Sequence, residues 1–147
     1  MKTFILSSIL LMSASASYAD ARVTEFAAKI FLKTATKILV LKAEKDLESS
    51  GSAGREEMKK VYIALSTKLP ENSGFSVAEG QCVSSQVLQS LDVTFDAVYG
   101  LAFATLNARM SLLNAQKIED SIKAVATVKS KNEAASFALA KVLSPCF

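Results

Sequence analysis

VTFDAVYGLAFATLNARMSLL, residues 93–113, is the stretch whose reading decides the fold. Phe95, Val98, Tyr99, Ala102, Leu106 and Leu113 fall on one 3.6-residue repeat, and Leu101, Ala104, Ala108 and Leu112 occupy the other side. A helix that is apolar nearly all round needs other helices to cover it. The segment therefore predicts the central helix of an all-α domain.

Working upstream, Ser76 and Glu79 have the spacing of a capping box, in which each side chain satisfies an orphan backbone N–H at a helix start. A third helical region is expected from near Val77, with Cys82 in its early turns and a break around residues 90–92, running toward Asn114. Before it, Met58, Val61, Tyr62, Leu65 and Leu69 mark an amphipathic helix over residues 55–69, with Glu56 and Glu57 in the first turn, where the helix dipole favours acids. "SSGSAG", residues 49–54, separates it from a long first helix over residues 20–48. On that helix Val23, Ala27, Ile30, Thr34, Ile38 and Leu41 supply the stripe expected to face the core.

Downstream, residues 114–117 read as a turn into a fourth helix carrying Ile118, Ile122 and Val125. Ser130 with Glu133 repeats the capping-box spacing and would open a last helix through Leu143, beyond which Pro145 forbids continuation. No segment has strand periodicity. The expected architecture is a single helical bundle of about five helices over residues 20–147.

Residues 1–19 precede it. Lys2, an apolar run over residues 4–12 and then Ser17, Tyr18, Ala19 have the layout of a cleaved secretory leader, which places the mature start near Asp20. The apolar run is too short for stable membrane insertion, which takes roughly 20 apolar residues. The chain is then expected in an oxidising compartment, periplasmic or secreted. There, Cys82 and Cys146 are an even pair without metal-like spacing and are expected to form one disulfide that tethers the C-terminus.

The chain has no histidine, which removes Ser-His and Cys-His nucleophile pairs and the usual zinc and copper ligand sets. No glycine-rich phosphate loop, Walker pattern or calcium loop occurs, and no cofactor is expected. Removing Lys2 with the leader leaves 16 basic against 14 acidic residues, a balance that does not suit a general nucleic-acid binder. Paired carboxylates are the remaining catalytic option, with Glu48, Glu56, Glu57, Glu79, Asp92 and Asp96 as candidates. Each has a plainer role as a first-turn helix acid, a cap or a solvated residue, so a non-enzymatic protein is expected.

Two features point to binding. Lys29, Lys33 and Lys37 form a ridge at i, i+4 and i+8 suited to an acidic protein surface or another anionic ligand. Beside it, Leu32, Ala35, Leu39 and Ala43 make a second apolar stripe opposite the one assigned to the core. Leu32 and Leu39, flanked by the lysines, are therefore expected to dock a partner protein or a second copy. The expected function is protein-protein binding, as an inhibitor or immunity protein or as an accessory factor of envelope secretion or pilus assembly. The alternative is a carrier holding a lipid-like ligand in a cavity lined by Phe95, Tyr99, Phe103 and Met110. Arg109, next to the central apolar stripe, is expected to snorkel at the helix end.

Overall fold

A computed structural model describes residues 2–69, 73–114 and 116–147, with side chains from Arg22 onward. The leader expected over residues 1–19 lies outside the described side chains. Among the described residues there are five helices and no strand: α1 (Lys2–Ser50), α2 (Arg55–Thr67), α3 (Val77–Gln89), α4 (Leu91–Asn114) and α5 (Ile118–Leu143), followed by a 3₁₀ turn (Ser144–Cys146). None of these helices is long and apolar enough over its described residues to cross a membrane.

Each break has a local cause. At the end of α1, Gly51 takes the left-handed φ of 76° that closes a helix without steric cost, and its N–H donates to the Leu47 carbonyl at 3.0 Å. The capping box at the start of α3 is complete: the Glu79 N–H donates to Ser76 Oγ at 3.2 Å, and the Ser76 N–H donates to Glu79 Oε1 at 2.9 Å. Between α3 and α4 the helix bends at one residue, Ser90. The Thr94 hydroxyl, fully buried, holds this corner by donating to the Val87 carbonyl at 3.2 Å, an acceptor the interrupted ladder would otherwise leave orphaned.

The number of helices matches the expectation, but they are divided differently. The break near residue 90 occurs, whereas the second capping box does not form. Ser130 and Glu133 are exposed positions in the middle of an unbroken α5. Nothing between residues 118 and 143 is glycine or proline, so the helix continues and the Ser-x-x-Glu pattern is part of its solvated face.

The buried apolar residues form one continuous core. α4 is central as predicted, buried at Phe95, Val98, Leu101, Ala102, Ala104, Leu106 and Ala108 and packed most extensively against α5. Its last turn departs from the prediction, with Leu112 and Leu113 57% and 83% exposed. α1 shares the centre, in contact with α2, α4, α5 and the final turn. Its core face is the stripe Leu32, Ala35, Leu39 and Ala43, together with Ala28 and Phe31. Of the stripe assigned to the core, Val23 and Leu41 are exposed. The alanines at 28, 35 and 43 account for the choice, because small side chains let neighbouring helices approach α1 closely while Phe31, Leu32 and Leu39 fill the spaces between.

Cys82 of α3 and Cys146 of the final turn are joined in a disulfide, with Cα atoms 5.7 Å apart. The terminal Phe147 lies against Phe75, ring centroids 6.4 Å apart.

Candidate functional site

The burial of α1 corrects one expectation. Leu32 and Leu39 are 2% and 0% exposed, so they do not present a free apolar face to a partner. The lysine ridge behaves differently. Lys29, Lys33 and Lys37 are all exposed, and together with Arg109 they rim a groove of about 530 Å³ between α1, α4 and α5. Leu32, Val40 and Leu101 form its buried floor, and Val128 of α5 makes a half-buried wall. Leu32 thus contributes to the site from below, while Leu39 is outside it, in the core.

Helical spacing builds the groove from three directions. On α1, Leu32, Thr36 and Val40 follow one another at successive turns beneath the lysines. On α4, Leu101, Thr105 and Arg109 do the same. The Thr105 hydroxyl donates back to the Leu101 carbonyl at 2.8 Å, whereas Thr36 Oγ1 has no hydrogen-bond partner. Arg109 reaches across to α1 and donates to Glu44 Oε1 at 2.7 Å, so it bridges two walls of the groove. Lys29 pairs with Glu25 one turn earlier at 3.2 Å. Neither Lys33 nor Lys37 has an acidic partner among the described residues.

The carboxylates considered for catalysis are spread over the surface. Asp96 pairs with Arg55, Asp92 lies 3.6 Å from Lys59, Glu57 lies 3.2 Å from Lys60, and Glu79 serves the cap of α3. Glu48 and Glu56 are exposed. No group of three or more metal-ligating side chains gathers among the described residues.

The residues considered as the lining of an internal cavity run from the core to the surface of α4. Phe95, Tyr99 and Phe103 stack in series, with centroid separations of 5.4 and 4.6 Å, and the Arg55 guanidinium lies 5.1 Å from the Phe95 ring centre and 5.0 Å from that of Tyr99. Met110 is 54% exposed on the outside of α4. The series extends inward through Tyr62, 5.5 Å from Phe95, to Phe31, 6.2 Å from Tyr62.

The groove contributions of α4 and α5 carried no local sequence signal. Leu101 read as part of the apolar girth of the central helix, Arg109 as a snorkelling end residue, and Val128 was not singled out. The i, i+4, i+8 spacing of the lysines and the neighbouring Leu32 pointed to this side of α1. No family model matches the chain, and neither the curated proteins nor the solved structures searched contain a match to it.

Proposed function

We propose that the protein is exported, periplasmic or secreted, and acts without catalysis by binding another protein through the groove between α1, α4 and α5. The observation that carries this reading is the pairing of an apolar floor with two exposed lysines, Lys33 and Lys37, which have no acidic partner among the described residues. Export is supported by the leader pattern of residues 1–19 and is consistent with the disulfide. Inhibition of an envelope-directed protein and accessory work in secretion or pilus assembly are both forms of this activity.

A photoreactive phenylalanine derivative in place of Leu41, at the groove, and separately in place of Ile63, on α2, tests the reading in the native host. A protein adduct is expected from position 41 and none from position 63. Adducts from neither position, or equal adducts from both, would remove the groove as the binding surface. N-terminal sequencing of the exported protein should begin at or within a residue or two of Asp20, and a mature chain retaining Met1 would overturn the location. The groove volume, about 530 Å³, also lies in the range of small-molecule sites, which keeps a carrier of an amphiphilic ligand as the second reading.

A further inference from the structure

The groove continues along the molecule. A second hollow of about 490 Å³ shares Lys29 and Asn132 with it and carries on past Glu25, Ser136 and Phe137. The seam between α1 and α5 therefore follows α1 from residue 25 to residue 41, about 24 Å at the rise of an α-helix. Large apolar side chains stand open toward both ends, Leu41 at 55% exposure and Phe137 at 66%. The charge along the seam is patterned. Lys33 and Lys37, on the rim of one half, have no acidic partner among the described residues, and Glu25 and Glu133 border the other half.

We propose that this seam receives one amphipathic α-helix of the partner protein, about four turns long. Its apolar stripe would lie on the seam, and carboxylates one turn apart along one edge would meet Lys33 and Lys37. The proposal rests on the protein-binding reading and specifies the partner element. A row of cations at i, i+4 and i+8 repeats about every 6 Å, the spacing at which a second helix presents its own side chains. A single anionic head group would engage only one step of that row. An apolar tail would stay uncovered along the open side of the seam, whereas small-molecule sites bury most of their ligand. A helix laid in an apolar groove uses the whole length, and the change of sign toward Glu25 and Glu133 fixes its direction.

The test uses the full-length oxidised domain and three probes. These are an 18-residue helical peptide with leucines at i, i+3, i+7 and glutamates flanking the stripe, the same peptide with lysine replacing glutamate, and dodecanoate. Titration calorimetry should show binding of the acidic peptide only. That affinity should fall as salt is raised and by roughly tenfold or more in the doubly substituted Lys33→Glu, Lys37→Glu variant. Circular dichroism checks that the variant is folded, and the milder Lys33→Gln, Lys37→Gln pair replaces it if it is not. Equal binding of both peptides, absence of acidic-peptide binding, or a lysine-dependent site that takes dodecanoate and no peptide would each overturn the proposal. If the peptide fails while Leu41 still captures a protein in the host, the helix inference falls and the protein-binding reading stands. If both fail, both fall.

Discussion

Tyr62 is buried completely between Phe31 and Phe95, and its hydroxyl faces Thr94 and Ser66 without closing a hydrogen bond. Burial pushes the phenol pKa well above its usual range, so the group stays neutral at any working pH. A buried hydroxyl without a partner is a cost to folding, and removing it leaves the ring packing intact. Tyr62→Phe should therefore leave stability within about 1 kcal/mol of the parent or raise it, measured by urea unfolding. A loss larger than that would reveal a hydrogen-bond network through the Ser66 hydroxyl. Leu39 and Leu41 make a sharper pair. Leu39→Glu puts a carboxylate at a fully buried position and should cost several kcal/mol, on the order of 3–5, while Leu41→Glu, at an exposed one, should stay within about 0.5 kcal/mol. Periodicity alone could not rank these neighbours, because both belong to apolar stripes of the same helix. What separated them was the placement of alanines at 28, 35 and 43, a signal about how closely other helices approach rather than about hydrophobicity.

The two Ser-x-x-Glu patterns show how an element boundary is decided. At Ser76 the chain arrives from Gly74, whose φ of 92° turns the backbone, so the serine is free to take the extended conformation a cap requires. At Ser130 the preceding turn is already helical and the same side chains have nothing to cap. Ser76→Ala should cost about 1 kcal/mol in thermal or urea unfolding, and Ser130→Ala less than about 0.5 kcal/mol. The Ser76 N–H donating to the Glu79 carboxylate, with the serine hydroxyl alongside, holds that carboxyl below the usual range. A depressed folded-state pKa contributes stability that is present above the unfolded value, about 4.3 for glutamate, and is lost as pH falls through the folded value. Amide protection factors at the start of α3, taken relative to the intrinsic exchange rate at each pH, should fall on acidification below about pH 4, and that fall should disappear in Glu79→Gln. Helix type and approximate number were legible because hydrophobic repeats run for many turns. The corner at Ser90 was legible only as a weakening, since the device that makes it, a buried threonine bonded seven residues back, is tertiary.

For the molecule as a whole, the disulfide was readable from cysteine count and context, and the groove was not. A groove is a property of three helices at once, and each of its walls looks like ordinary surface or ordinary core when read alone. The bridge closes a loop of 64 residues, and removing it should cost about 2–5 kcal/mol, largely through the freedom regained by the unfolded chain. Reduction, or the double variant Cys82→Ser, Cys146→Ser, should lower the melting temperature while leaving the helix content of the native state unchanged. A reduced protein with an unaltered melting temperature would contradict that expectation.

The same bridge gives the groove two unlike ends. Behind Cys146, the C-terminal part of α5 is buried at Ala135, Leu139 and Leu143 and is tied through the sulfurs to α3. At the far end, where α5 begins, Ile118, Ile122 and Val125 are 79%, 63% and 52% exposed and have little core to hold them. One wall of the seam is thus clamped at its base and free at its tip, in the manner of a clothes-peg. Hydrogen exchange along α5 should run as a gradient, fast over residues 118–128 and slow over 135–143. In the docking proposed above, a guest helix would enter from the loose end and seat toward the clamped one, and the covalent link that steadies the fold would then also set the direction of loading.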